Sequence, residues 1–83
     1  MENKYNVSVY LPYFDVAYDL YVPSNCKVGF IKKAIFSILI NNNYKNFDIV
    51  HSRLIDRYSG LEYNLDISVY DSLISNGTKL ILM

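Results

Sequence analysis

Residues 23–40 form the stretch that most constrains what this chain can fold into. The large apolar side chains there recur at helical spacing, at Val28, Ile31, Ile35, Ile38 and Leu39. This i, i+3, i+4, i+7 pattern predicts a helix with one buried face. Pro23 and Ser24 precede it, with Ser24 as the predicted N-cap, and Lys32 and Lys33 lie on the opposite side. No other stretch has helical periodicity of comparable length, so we predict one helix packed on one sheet.

Two alternating runs before this helix predict a β-hairpin. In residues 5–11 and 16–22, side chains alternate with the two-residue period of a half-buried strand. Residues 12–15 lie between the two runs, and Pro12 cannot donate a hydrogen bond to a strand ladder. We therefore predict two antiparallel strands joined by a short turn.

Shorter features follow the helix. The three asparagines at residues 41–43 predict its end, because asparagine tolerates the left-handed conformation that closes many helices. The later features are a β-like segment at 51–57, a brief strand at 61–63, a helical turn at 69–73 and a final strand at 78–83. This order predicts an α+β fold in a single domain over residues 1–83, with a mixed sheet of four to five strands packed on one helix.

The charge and hydropathy of the chain restrict its partners. Eight basic and eight acidic residues give a formal net charge of zero. A protein without a basic field neutralises few phosphates, so we expect no nucleic-acid partner and keep a nucleic-acid-binding regulator only as an alternative. The longest apolar-rich run, residues 34–40, is far shorter than the ~20 residues that cross a bilayer. We therefore expect no membrane insertion.

Few residues are suited to catalysis or metal binding. Cys26 is the only cysteine, which excludes an intramolecular disulfide framework or a cysteine-rich zinc site and predicts a reducing, cytoplasmic setting. His51 is the only histidine, and a nucleophile–base pair of Cys26 with His51 is the enzymatic hypothesis. The two lie far apart in the sequence without a glycine-rich segment, and the aspartates lack calcium-loop spacing. We expect no catalytic residue, no metal and no cofactor.

Three motifs spread over nearly the whole chain carry a family resemblance. They are Tyr18-Asp19-Leu20-x-Val22-Pro23, Val28-x-x-Ile31-Lys32 and Asp71-Ser72-Leu73-Ile74-x-Asn76-Gly77-x-x-Leu80-x-Leu82. These motifs resemble the YukD/EsaB family of small ubiquitin-like bacterial proteins. The resemblance implies a ubiquitin-like β-grasp fold and a cytosolic accessory or regulatory role in a type VII secretion system. It also implies a protein partner within that secretion system, where a related ubiquitin-like domain occurs on a membrane component.

The last residues depart from the pattern of conjugated ubiquitin-like proteins and β-grasp sulfur carriers, which act through a C-terminal Gly-Gly. This sequence ends Lys79-Leu80-Ile81-Leu82-Met83, inside the predicted final strand. We therefore expect a non-catalytic module that is not conjugated and acts by protein–protein contact. The alternative of a different class is a small enzyme or a sulfur or group carrier on the same fold, which turnover dependent on Cys26 would favour.

The resemblance also implies a binding surface. With the strand register of ubiquitin, the residues that face the helix are Val7, Val9, Leu54, Leu80 and Leu82. Ile55, Ile81 and Met83 then lie on the opposite, open face with Tyr10 or Tyr21 nearby, and the candidate protein interface is Tyr10, Ile55, Ile81 and Met83. Scattered exposure without function and a shifted register are the alternatives. An edge strand could also pair with a second copy, which leaves a homodimer as a further hypothesis.

Overall fold

A four-stranded mixed sheet with one helix on one face makes up residues 3–83, the part of the chain that the computed structural model describes. The elements are β1 (Lys4–Leu11), β2 (Val16–Pro23), α1 (Gly29–Asn41), β3 (Leu54–Asp56) and β4 (Lys79–Leu82). The strand order is β2-β1-β4-β3, with β1 and β4 parallel and the other two pairs antiparallel. The predicted α+β, β-grasp architecture is therefore confirmed, with four strands.

The alternation of the strands determines the core. β1 and β2 pair from Lys4 opposite Pro23 to Leu11 opposite Val16, and the turn between them places Asp15 at a φ of 53°. The five residues predicted to face the helix are all buried, at 1% exposure or less: Val7, Val9, Leu54, Leu80 and Leu82. They pack in one cluster with the buried residues of α1, which are Ile31, Ile35 and Leu39. One hydrophobic layer between helix and sheet thus holds the fold together.

The start of α1 differs from the prediction. The helix begins at Gly29, and its N-cap residue is Val28, which makes no side-chain cap bond. The amides of Val28 and Gly29 instead donate to the carbonyl oxygens of Ile67 and Leu65, at 2.9 and 3.0 Å. A serine N-cap side chain accepts from the second or third helical amide, and here those two amides donate to main-chain carbonyl oxygens just before and at the start of the helix. Ser24 is not the N-cap, because the helix begins only at Gly29, and Ser24 lies buried in the connection before α1.

The end of α1 agrees with the prediction. The helix stops at Asn41, and Asn43 adopts a left-handed conformation with a φ of 62°. The amide of Tyr44 donates to the carbonyl oxygen of Leu39 at 3.0 Å, which satisfies one of the last helical carbonyls. The asparagine run therefore closes the helix as its sequence indicates.

Two shorter predicted elements are weaker than expected. Residues 61–63 do not form a strand of their own, and Glu62 makes a single antiparallel bridge to Ile55. Residues 69–73 do not form a helix but hydrogen-bonded turns, in which Ser72 donates its amide to the carbonyl oxygen of Val69 at 3.1 Å. Both segments lie along the edge of the core, where main-chain bonds to neighbouring segments replace regular structure.

The longest helix in residues 3–83 is α1, and at 13 residues it spans roughly 20 Å. No helix of this part of the chain is long and apolar enough to cross a membrane.

Candidate protein-binding surface

The four candidate residues lie on the face of the sheet that α1 does not cover. Strand pairing places Tyr10 opposite Ile81 and Ile81 opposite Ile55. Directly paired residues share a face, so these three side chains form a row across three strands, roughly 10 Å long at the usual strand spacing. Met83 lies two residues beyond Ile81 and exchanges two main-chain hydrogen bonds with Arg53. We call Tyr10, Ile55, Ile81 and Met83 the outer patch.

The outer patch is partly open to solvent. Tyr10, Ile55 and Ile81 are half-buried by their neighbours within the sheet, and Met83 is 55% exposed. Their alternate neighbours on the same strands supply the core, so these four residues are not needed to fill it. A contiguous apolar row on an uncovered sheet face is the kind of surface that binds another protein.

Tyr10 is held in one orientation by polar contacts. Its hydroxyl donates a hydrogen bond to Oδ1 of Asp15 at 2.7 Å, and the guanidinium carbon of Arg57 lies 5.8 Å from the ring centroid. The hydrogen bond to the Asp15 carboxylate is the largest cause that raises the pKa of Tyr10, and the charge of Arg57 partly opposes it. Tyr10 therefore stays a neutral hydrogen-bond donor and presents a fixed aromatic ring beside Ile81.

Charged side chains of both signs surround the outer patch. Arg53 lies 3.7 Å from Glu62 in an exposed ion pair, and Glu62 is the bridge partner of Ile55. Lys79 precedes Ile81 by two residues and so lies on the same face of β4. An apolar centre within a charged rim is the usual anatomy of a protein interface.

The sequence did not point to these polar neighbours. Asp15 is close to Tyr10 in the hairpin and could have been paired with it from the predicted turn. Arg57 and Glu62 reach the outer patch only through the long-range pairing of β3 with β4, for which the sequence carries no local signal.

Tyr21, the other tyrosine considered for this surface, lies away from the outer patch. It pairs with Asn6, whereas Tyr10 pairs with Ala17. Tyr21 and Ala17 are on the same face of β2, four residues apart, which corresponds to roughly 13 Å along the strand. Tyr21 therefore belongs to the opposite end of the same sheet face.

Cys26 and His51 occupy different settings. Cys26 is half-buried in the connection before α1, in a groove that it shares with Lys27 and Asp66, among others, and that His51 does not line. His51 is exposed, and its Nδ1 lies 2.6 Å from Oδ2 of Asp48, whose pKa this hydrogen bond lowers. Within residues 3–83, no cluster of three or more His, Cys, Asp or Glu side chains could hold a metal ion.

Comparison with known proteins identifies the fold. No family model and no curated protein matches the sequence. The ubiquitin-like domain of Arabidopsis thaliana protein At2g32350 superposes with a TM-score of 0.69 at 20% identity, over 98% of this chain and 77% of that one. Caldiarchaeum subterraneum ubiquitin superposes with a TM-score of 0.73 at 14% identity, over 96% and 91%.

A third similar structure is a chain of the MycP5-free ESX-5 inner membrane complex. It has a TM-score of 0.70 and 15% identity, and the similarity covers 98% of this chain but 21% of that much longer one. Together with the strand order and the single helix, these similarities show that the chain has the ubiquitin-like β-grasp fold.

Proposed function

We propose that this protein is a ubiquitin-like interaction module that binds a partner protein through the outer patch. The observation that carries this proposal is the row of Tyr10, Ile81 and Ile55 across three strands of the uncovered sheet face. The row is apolar, its aromatic member is held by Asp15 and Arg57, and it is bordered by charges. Fixed aromatic and aliphatic side chains lose little conformational entropy on binding, which favours them as anchors of an interface.

The partner in this proposal is a component of a bacterial type VII secretion system, for which the protein is a cytoplasmic accessory or regulatory factor. Two observations support it. Three motifs across the sequence resemble the YukD/EsaB family. The fold also occurs in a chain of the ESX-5 inner membrane complex, and the resemblance implies a ubiquitin-like domain on a membrane component of the secretion machine.

In this proposal the protein acts by non-covalent contact, without conjugation or catalysis. The different settings of Cys26 and His51 support the absence of a nucleophile–base pair. The alternative is a group carrier on the same fold. Intact mass spectrometry of the protein purified from its host separates the two: we expect the mass of the unmodified chain, and an added group or attached protein would favour the alternative.

The proposed interface is tested by capturing partners with tagged protein from the native host. We expect secretion-system components with the wild type and their loss with Ile55→Asp, because an aspartate would place a charge in the centre of the row. Leu73→Asp is the matched control, since Leu73 is 80% exposed and lies outside the sheet. Met83→Asp, at a largely exposed position, is a second outer-patch variant if Ile55→Asp unfolds.

The two parts of the proposal fail in different ways. Retention of the same secretion components by both outer-patch variants would overturn the interface but keep the role. Capture of unrelated proteins, or of none, would overturn the role. Thermal unfolding of each variant shows whether a lost partner reflects a lost fold.

A further inference from the structure

The outer face of α1 is more apolar than the surface of a helix exposed to water usually is. Phe30, Phe36 and Ile40 lie on it, with 40%, 43% and 55% of their surfaces exposed. The opposite face of the same helix is buried in the core. Lys33 and Ser37 are also exposed on this helix, so its outer face is mixed, with three large apolar side chains left open among residues 3–83.

A groove of about 410 Å³ runs beside this face. We call it the helix groove, and its main lining residues are Lys32, Lys33, Phe36, Ile49, Val50 and Leu65. Val50 is 76% exposed, although its side chain is aliphatic. The helix groove therefore lies between α1 and the loop before β3, on the side of the sheet opposite the outer patch.

Lys32 fixes the wall of the helix groove. Its Nζ donates to the carbonyl oxygens of Ser52 and Val50, at 2.8 and 3.3 Å. The hydroxyl of Ser52 donates in turn to the carbonyl oxygen of Ile49 at 2.6 Å. Charge-assisted bonds from the helix to two carbonyls of the loop hold Ile49 and Val50 in place. The groove is thus a built feature of the fold rather than a gap beside a loose loop.

The charged side chains that line the helix groove are both lysines, while Asp66 lines an adjoining hollow together with Lys33. The lining of the helix groove itself includes no carboxylate. A carboxylate cluster lies elsewhere, in a separate hollow along the edge beyond β3 that Asp56, Glu62 and Asp71 line. A chain with zero net charge thus carries a positive, apolar groove beside α1, which complements an acidic partner and repels a basic one.

We propose that the helix groove docks an acidic segment of a partner protein, which inserts a large apolar side chain beside Phe36 and Val50 and places carboxylates near Lys33. This inference goes beyond the outer patch and does not rest on it. With both surfaces occupied, the protein would act as a two-sided adaptor, with one partner on the sheet and an acidic segment on the helix.

The test is a titration monitored by amide NMR spectra of the full chain. The probe is a short synthetic peptide rich in glutamate with a pair of leucines, and the matched peptide has lysine in place of each glutamate. We expect the glutamate peptide to shift the amides of Phe36, Val50 and Leu65, and the lysine peptide to leave them unchanged. Because carboxylates pair with exposed lysine, added salt should weaken the binding.

Charge reversal makes the test specific. Lys33 is exposed. Lys33→Glu should weaken binding of the glutamate peptide about tenfold or more and should create binding of the lysine peptide. Phe36→Ala should weaken binding without changing the charge, and Ile55→Asp in the outer patch should leave the affinity unchanged. Equal binding of both peptides, shifts confined to the outer patch or no shift at all would overturn the proposal. Shifts at the groove on raising the protein concentration alone would assign it to a second copy and would also overturn it.

Discussion

The two faces of the sheet are built from alternate residues of the same strands but have different surroundings. In β4, Leu80 and Leu82 are completely buried beneath α1, whereas Ile81 between them is half-buried on the uncovered face. All three are aliphatic, so β-propensity alone does not explain the difference. A strand that is apolar on both faces is normally buried on both. The inner face of β4 is explained by folding, and the outer face needs another explanation, which the proposed partner binding would provide.

The largest expected effect is on folding stability, and it distinguishes the two faces of β4. Leu80→Ala should lower the free energy of unfolding by about 2–5 kcal/mol, because it leaves a cavity among fully buried side chains. Ile81→Ala, its neighbour on the outer face, should cost about 1 kcal/mol, because its surroundings are open and water can fill the space. Urea unfolding of both variants measures the difference.

Equal losses in the two variants would contradict this division of the sheet. They would show that the outer face contributes to folding as much as the inner one does, and the case for the outer patch as a binding surface would weaken. Since a small domain has a total stability of only about 5–10 kcal/mol, Leu80→Ala should bring it close to unfolding.

The two faces of the sheet could be predicted because alternation is a local property, once the ubiquitin register implied by the family resemblance had fixed which side faces the helix. Once Val7 and Val9 face the core, every second residue of β1 follows. The placement of Tyr10 beside Ile81 needed the family resemblance as well, because β1 and β4 are far apart in the sequence. The contacts of Tyr10 with Asp15 and Arg57 came from the structure alone.

The two ends of α1 illustrate the limit of local signals. At the C-terminal end the asparagine run closes the helix through local conformation alone, and the prediction there was right. At the other end Ser24 carried a local cap signal, but carbonyls of Leu65 and Ile67 bind the first amides instead. From the sequence only Lys32 and Lys33 were expected on the outer side of α1. The exposed Phe36 and Ile40, and the loop that Lys32 holds against the helix, came from the structure.

Asp56 is the last residue of β3 and lies on the same face of that strand as the buried Leu54. Asp56 pairs with Leu80, and it accepts hydrogen bonds from the amide of Ser59 at 2.8 Å and from the hydroxyl of Tyr63 at 3.2 Å. The hydrogen bond from the main-chain amide of Ser59 is the largest cause that lowers the pKa of Asp56. Burial and the nearby Asp56 carboxylate raise the pKa of Tyr63 to about 12. The folded state therefore favours the charged form of Asp56 and the neutral form of Tyr63.

We expect Asp56, with its hydrogen bonds on the inner side of the sheet, to make an acid-sensitive contribution to the free energy of unfolding that is smaller than the contribution of Leu80. Because the pKa of Asp56 is lower in the folded state, its contribution is fully present above about pH 4 and is lost as the pH falls through the folded pKa. Asp56→Asn should therefore lower the free energy of unfolding at neutral pH, and the gap between variant and wild type should narrow in acid. A gap that stays constant from neutral pH to about pH 2 would assign the loss to packing.

The smallest effect on stability is expected on the outer face, at Tyr10. Its hydroxyl bond to Asp15 is exposed, so water can replace it, and Phe retains the ring beside Arg57. Tyr10→Phe should leave the free energy of unfolding almost unchanged. Tyr10→Ala should weaken partner binding about tenfold or more, because it removes the aromatic anchor of the row. Urea unfolding and a binding titration with the captured partner measure the two quantities. If Tyr10→Ala bound its partner normally but unfolded easily, the ring would serve the fold, and the two faces of the sheet would differ in exposure but not in role.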